Sequence, residues 1–457
     1  MKKKVIAVFD IGRTNKKFFL FDTNYREVHR EYIRFEEIAD EDGYPAENLE
    51  ALVNWAKQLF YSMMDSGEYD IQFLNFSSYG ASLVHIDKEG NVLTPLYNYM
   101  KPLKKEIQAS FYGTYGTDDK FSRATGSLKL GMLNSGMQLY WLKKDRPELF
   151  KKIHYSLHLP QYLSYIFTGI PVSEYTSIGC HTLLWDFEKK DYHNWVYQEQ
   201  IDAKLPPVVT ADKTYSVDFK EKNIQIGVGI HDSSSALLPY VQSVKKPFIL
   251  VSTGTWSIAI NPFTKGMLTL EDIHDDCLFN MQIDGKPVKV SRLFLGNEYK
   301  LQVKALSKHF GVSDDFHKTI KFDKVIFSRI SKIPGPQFKW ISIPEKKGAD
   351  KTKTPYVRFE EAYHRLLWEL VHLQAASIKA AIGREPIEQL YIDGGFTDNE
   401  VYIKLLTYYF RDLKVRTTNS SLGSALGAAM VISRSKPGPE FLEKNYKLKK
   451  QDPLKFK

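Results

Sequence analysis

Cysteine is nearly absent: 457 residues contain two, Cys180 and Cys277, far apart in the chain. That excludes the dense disulfide framework of a small secreted domain, and reduced thiols are expected. No apolar run approaches the roughly 20 residues that a membrane-spanning helix needs. The start offers only Val5 to Phe9 before Asp10, shorter than the core of a signal peptide, so an unanchored cytoplasmic protein is expected. A one-signed charge field is also missing. Sixty-three Lys and Arg face 54 Asp and Glu, a formal charge of +9, but the two signs are interleaved. The one basic concentration is the tail, with Lys444, Lys447, Lys449, Lys450, Lys455 and Lys457. Without a basic stripe or a reading motif, nucleic acid is not an expected partner, and neither is a membrane. Oligomeric state is left open between monomer and homodimer.

Some familiar chemistries are missing too. There is no Ser-His-Asp order, nucleophile elbow or Walker A lysine loop. His274-Asp275-Asp276-Cys277 and His309 with Asp314, Asp315 and His317 contain metal-ligand residue types, but neither has closed zinc spacing.

What is present is globular in kind, with 43% hydrophobic and 26% charged residues. At about 150 residues per domain the length predicts two or three domains. Lys4 to Phe9 reads as a strand, Asp10 to Asn15 as a tight turn and Phe18 to Phe21 as a second strand. Much later the plan recurs, with Phe248 to Val251, then Ser252-Thr253-Gly254-Thr255, then Trp256 to Ile260. The pair suggests a duplication, each hairpin opening its own domain.

Leu49 to Met64 carries helical periodicity, and Phe73 to Phe76 reads as a buried strand. Met137 to Leu142 and Tyr162 to Phe167 read as helical. Gly169 to Gly179, rich in Gly, Pro, Ser and Thr, reads as a surface segment. Ile224 to Ile230 predicts a strand leading into His231-Asp232 and a short helix through Leu238. Glu360 to Ile382 predicts a long amphipathic helix ended by Gly383 and Pro386. Leu390 to Ile392 and Asn399 to Leu413 predict a strand and a helix. These elements imply an α/β protein with domains over 1–240 and 246–435, a proline-flanked link from Pro239 to Pro247, and a basic tail over 436–457 that would by default be a solvated end.

Chemistry concentrates at the turns. Asp10, Gly12, Thr14, Asn15 and Lys17 surround the first one. Glycine lets N–H groups converge, hydroxyl and amide groups add donors, and lysine adds charge, a phosphate cradle in composition. Asp10 suits a hydrated Mg²⁺ better than phosphate itself. An ordinary hairpin would favour the same residues. Ser252 to Thr255 offers hydroxyls for the far side of the same phosphate chain. Asp393-Gly394-Gly395 at a strand-to-helix junction allows close approach of a nucleotide, although Thr397 and Glu400 also match a capping box. Gly423 to Ala429 is a small-residue helix made for close packing. Asp232, at a strand end, has the chemistry of a base toward a hydroxyl, and equally that of a helix cap.

In order, Asp10-Ile11-Gly12-Arg13-Thr14-Asn15-Lys16-Lys17, Gly229-Ile230-His231-Asp232, Ser252-Thr253-Gly254-Thr255-Trp256-Ser257 and Asp393-Gly394-Gly395 with Asn399 resemble the FGGY carbohydrate kinases of the actin-like ATPase superfamily. The resemblance runs from residue 5 to about 432. Leu159 to Gly169, and Glu174 to Ser177 before Thr182 to Trp185, are similar to the rhamnulokinase branch of that family.

This resemblance implies two actin-like, ribonuclease H-like domains around a cleft. It also implies ATP and Mg²⁺ as cofactors and a ketose, L-rhamnulose among the candidates, as acceptor. It gives Asp232 the role of catalytic base and places Mg²⁺ near Asp10 through water. Arg13, Thr14, Asn15 and Lys17 would serve the phosphates, with Thr255, Gly394, Gly395 and Asn399 on the nucleotide. Gly80, Ser82, His231, Asp232 and Arg292 would border the sugar.

The sugar side departs from that branch. Tyr79 and Ser82 stand where a tryptophan and an acid are usual, Asn98-Tyr99-Met100 replaces Tyr-Arg-Asp, and Arg292 or Leu293 falls where an asparagine is expected. L-fuculose, L-ribulose and xylulose are alternative acceptors, and a catalytically weak sugar sensor is an alternative role.

Overall fold

Lys3–Ile11 (β1) is apolar from Val5 to Phe9 and buried from Val5 to its end, Asp10 included, and such a strand needs both faces covered. The computed structural model covers them. It describes all residues except 1, 117, 221, 354, 419–421, 434–436, 439 and 455–457, together with the side chain of residue 118. Lys455 and Lys457 of the tail therefore lie outside the described residues.

β1 turns into Lys16–Asp22 (β2) and then Glu27–Ile33 (β3), all antiparallel, while Tyr69–Ser78 (β4) runs parallel to β1 on its other side. Thr214–Phe219 (β5) and Lys222–Gly227 (β6) complete the row in the order β5-β6-β4-β1-β2-β3, and the two-residue strand Ile230–His231 (β7) pairs further along β4. Leu49–Asp65 (α1) and Leu159–Thr168 (α2) close one face, packing Leu52, Phe60 and Leu163 onto Phe9, Phe18 and Phe76.

The second sheet repeats the plan. Phe248–Thr253 (β8) and Ser257–Asn261 (β9) form the hairpin, Cys277–Met281 (β10) and Pro287–Leu293 (β11) extend it, and Gln389–Gly394 (β12) runs parallel to β8. Lys414–Thr418 (β13) and Lys449–Gln451 (β14) finish the row. The outer face is covered by Leu295–Phe310 (α5) and Phe359–Ile382 (α6), whose Leu306, Leu366, Leu370 and Ile378 enter the core there.

A third core lies between the two sheets. It unites Ile6, Val8, Phe19 and Phe21 of the first with Phe248, Leu250 and Tyr391 of the second. Asp232–Ser243 (α4) and Gly423–Ile432 (α8) fill that space, and α8 is buried from Ala425 through Ile432, so it is apolar all round.

Four local expectations are corrected. The link does not begin at Pro239, because α4 continues through it to Ser243; proline costs one helical hydrogen bond, and packing of Leu237, Leu238 and Tyr240 outweighs that loss. The strand expected over Ile224 to Ile230 breaks between β6 and β7 at Gly229, which has φ 83° and leaves no room for a side chain beside the Pro160 carbonyl. Gly169 to Gly179 is not a surface segment: Ser173–Glu174 is a buried strand, and Tyr175–Ile178 (α3) buries Thr176, Ser177 and Ile178. The tail is not a loose solvated end. Phe441–Tyr446 (α9) buries Phe441, Leu442 and Tyr446, Phe441 meets Tyr25 edge to face, and β14 joins the second sheet.

Candidate active site

The register of β4 creates the site. Asp10 on β1 lies opposite Ser77, and Ile230 and His231 lie opposite Ser77 and Ser78 from the other side, so the ends of β1 and β7 flank the same stretch of β4. Asn75 holds the break open by accepting from the Gly229 N–H at 3.1 Å and donating to the Ala428 carbonyl at 2.8 Å. Two carboxylates remote in sequence are thereby brought close enough to feel each other.

Burial raises Asp10 above the usual carboxylate range. Lys17, with Nζ at 3.9 Å, and Ser424 oppose the rise, and the Asp232 charge adds to it. Asp232 is the first residue of α4, and His231 holds the cap position. The carboxylate accepts from the Ser233 hydroxyl at 3.2 Å and does not serve as the helix cap. About a third of the side chain, 34%, stays open, yet the protein around it pushes its pKa up to about 6.

His231 Nε2 lies 3.3 Å from Asp232 and 3.3 Å from the Cys180 sulfur, while Nδ1 is buried with no partner among the described residues. Burial pulls the imidazole down to about 4, so it is neutral at pH 7. A Cβ on Gly80 would stand 3.1 Å from that ring, a close approach that suits glycine. Ser82 is buried, and its carbonyl accepts from Leu159 N–H at 3.1 Å. Arg292 comes from the second sheet. Its guanidinium pairs with Asp276 at 2.9 Å, lies 5.4 Å from the Trp256 ring centre and extends its field to Cys180 and His181.

Two turn residues have side-chain partners outside the turn. Arg13 pairs with Glu37 and lies 5.9 Å from the centre of Tyr99, and Asn15 accepts from Arg34 at 2.7 Å. Motif reading missed the group behind Arg13: Glu47, nearly buried, takes Lys16 at 2.8 Å and the Tyr79 hydroxyl at 3.2 Å. Lys16 beside the turn was the only sequence signal for it.

On the second sheet, the Thr253 hydroxyl donates to the Asp393 carbonyl, and its oxygen accepts from Phe396 N–H at 3.1 Å. Gly394 has φ 86°, and a side chain there would collide with the Thr253 carbonyl, 2.0 Å from the Cβ position. Beside this junction opens a cavity of about 720 Å³ lined by Gly254, Thr255, Gly395 and Asn399 among others. Gly394 borders it through its neighbour.

The aromatic walls, Tyr299, Tyr363 and Phe396, were not legible in the sequence. Asn399 organises them: its amide donates to the Tyr363 hydroxyl at 2.9 Å, and its oxygen caps Glu400–Tyr409 (α7) through Tyr402 N–H at 3.1 Å. The expected Thr397 and Glu400 capping box gives way to this cap, and the Thr397 hydroxyl donates instead to Gly394. His317 belongs to the cavity, its ring 5.7 Å from that of Tyr299.

For the ATP that the resemblance leads us to expect here, replacing Asn399 with alanine should raise the dissociation constant about tenfold, the loss of roughly one net hydrogen bond. Calorimetric titration checks this. Unchanged affinity would remove Asn399 from the cavity's organisation.

Residues 5–237 match the family model for the FGGY family of carbohydrate kinases, N-terminal domain, and residues 245–440 match that for the carbohydrate kinase FGGY C-terminal domain. A rhamnulokinase of Halalkalibacterium halodurans is 24% identical over 262 residues, 54% of each chain. An L-fuculokinase of Escherichia coli is 24% identical over 271 residues, 56% of each chain. The chain thus spans about half the length of these curated relatives. Among solved structures, a carbohydrate kinase from Novosphingobium aromaticivorans superposes with a TM-score of 0.83 at 20% identity, covering 100% of this chain and 95% of that one. A xylulose kinase from Lactobacillus acidophilus gives 0.77 at 14%, covering 98% and 93%. These superpositions establish the fold, two actin-like α/β domains of mixed sheets flanked by helices. With one family model on each domain, in chain order, this chain belongs to the FGGY family of carbohydrate kinases.

Proposed function

We propose that the chain is an ATP- and Mg²⁺-dependent kinase that transfers the γ-phosphoryl group to the terminal hydroxyl of a ketose, with L-rhamnulose as first candidate. The observation that carries this reading is Asp232: a carboxylate about one third open, beside a neutral His231, and near enough to Asp10 on the other side of β4 for its charge to act there.

A base with pKa about 6 is ionised at pH 7 and still accepts a proton as the acceptor oxygen bonds to phosphorus. The sugar O–H proton passes to Asp232, the oxygen it leaves forms the new bond to the γ-phosphorus, and the bond from that phosphorus to the bridging oxygen breaks with its electron pair leaving on ADP. His231 Nδ1 has no partner among the described residues, and a sugar hydroxyl would satisfy it. The second hairpin and the Tyr299–Tyr363 wall would hold the nucleotide, and Lys17 would stand near its phosphates.

The donor set fits a hard cation. Asp10 supplies one carboxylate, and no group of three His, Cys, Asp or Glu among the described residues forms an all-protein cage; Mg²⁺ keeps water and leans on one or two carboxylates. Such an ion would neutralise phosphate charge. Among the described residues no helix is long and apolar enough to cross a membrane.

Tyr79, Ser82, Tyr99 and Arg292 support another ketose as the second reading, because sites built on hydrogen bonds to hydroxyls discriminate strongly. ADP release with ATP and Mg²⁺ across L-rhamnulose, L-fuculose, L-ribulose and D-xylulose tests both readings. One sugar should stimulate release at least ~100-fold. Equal release with and without every sugar would overturn the kinase reading in favour of a sensor or a plain ATPase.

A further inference from the structure

Glu174 is fully buried, and no cation pairs with it among the described residues. A carboxyl group is an expensive thing to bury, and an apolar side chain would be cheaper. Its oxygens are nonetheless satisfied. Oε1 accepts from Thr176 N–H at 2.7 Å, and Oε2 accepts from the Thr176 hydroxyl at 2.7 Å and Ser177 N–H at 3.2 Å. A hydroxyl has one proton. Thr176 spends it on Glu174, so its oxygen is left as an acceptor, and it takes the backbone N–H of His231 at 3.0 Å. Burial pushes the Glu174 carboxyl up to about 7, and in its ionised form the chain of bonds has one direction, from His231 N–H through Thr176 to Glu174.

His231 needs that hold. It lies at the cap position of α4 without a side-chain cap bond, in a strand of two residues, immediately before Asp232. The small strand Ser173–Glu174 is itself tied to Val208–Val209, which anchors the far end of the chain of bonds. We propose that Glu174 is a positioning residue for the phosphoryl-transfer site. It fixes the polarity of the Thr176 hydroxyl, and that hydroxyl fixes the backbone from which Asp232 projects. The assignment rests on Asp232 being the base, as proposed above. A misplacement of 1 Å at such a base costs about 100-fold in rate.

The test uses the full chain with Thr176→Val, Thr176→Ser and Glu174→Gln. Valine keeps the shape of threonine and loses the hydroxyl. Serine keeps the hydroxyl. Glutamine must turn an N–H₂ donor toward donors. Thr176→Val and Glu174→Gln should lower kcat about 10- to 100-fold, leave the KM for ATP within about threefold and retain the parent's melting transition. Thr176→Ser should stay within about threefold of the parent. The double variant should be no worse than the weaker single one, because the two act in series.

Amide hydrogen exchange of the peptide containing His231 gives a readout that needs no turnover. Protection should drop about tenfold or more in Thr176→Val and Glu174→Gln and persist in Thr176→Ser. Unchanged exchange in Thr176→Val, or equal loss in the serine and valine variants, overturns the proposal whether or not a sugar substrate has been found. A parent that turns over no ketose while the exchange pattern holds overturns the kinase reading alone.

Discussion

Asp232→Asn is expected to lower kcat about 10³-fold, within the 10²–10⁴ range of a positioned general base, while KM for sugar and ATP stays nearly constant. Asparagine keeps the volume and an oxygen for the Ser233 hydroxyl, but it cannot take a proton at neutral pH. The helix is not weakened by the loss of a cap, since Asp232 is its first residue and not its cap.

Stability should move the other way. The carboxyl pKa is about 6 in the folded state against a model-peptide 3.8, so folding favours the protonated form. That contribution is fully present below about pH 4 and is lost as pH rises through about 6, leaving the ionised parent destabilised at pH 8. The open third of the side chain reduces the effect through solvent screening, to about 1 kcal/mol. The asparagine variant should therefore melt about 2 °C higher at pH 8 and level with the parent at pH 4. The parent's kcat/KM should fall tenfold per unit below pH 6. A variant that melts lower at pH 8, or that keeps its rate, contradicts the role assigned to Asp232.

Gly427→Ala is expected to be the most disruptive small substitution between the domains. A Cβ there would stand 1.8 Å from the Ser235 carbonyl oxygen and 2.6 Å from its carbon. Backbone cannot rotate away as a side chain does. The carbonyl is there for a reason legible in α4: Pro239, four residues on, has no N–H to give it, so Ser235 turns its oxygen toward α8.

Overpacking of this kind costs about 1–3 kcal/mol, and occasionally more, against which alanine's better helix propensity returns about 1 kcal/mol. A drop in Tm of about 5 °C is expected, together with a fall in kcat, because α4 carries Asp232 at its first position and moves when α8 is pushed away. Gly423→Ala is the control. Its nearest neighbour would be the Ala236 Cβ at 3.5 Å, ordinary contact, and it should be neutral or slightly stabilising. If both variants behave alike in melting and in turnover, the Gly427 contact does not set the helix pair.

Residues 248–261 show what could be read in advance. The hairpin was visible from apolar runs on either side of Ser252 to Thr255, and its counterpart at Asp10 to Asn15 was visible for the same reason, because a turn is determined by the few residues that make it. The capping oxygen at α7 is a nearer miss. The spacing pointed to Thr397 with Glu400, and Asn399 holds the cap instead because its amide also reaches Tyr363, a residue 36 positions away. Gly169 to Gly179 failed altogether, since Ser, Thr and Gly look alike on a surface and in a buried hydrogen-bonded turn. Only the carboxyl of Glu174 and its partners distinguish the two.

Local pattern was enough for the two hairpins, their glycine-bearing turns and the residues able to bind phosphate or move a proton, because backbone preference and side-chain chemistry are properties of neighbours in the chain. Tertiary structure alone decided that Asp10 and Asp232 come within each other's field on either side of β4, that Arg13 faces Glu37 and Tyr99, that Tyr299 and Tyr363 wall one cavity, and that Lys449–Gln451 of the basic tail form an outer strand of the second sheet. Those outcomes depend on strand register and on burial, and both are set by residues tens or hundreds of positions apart.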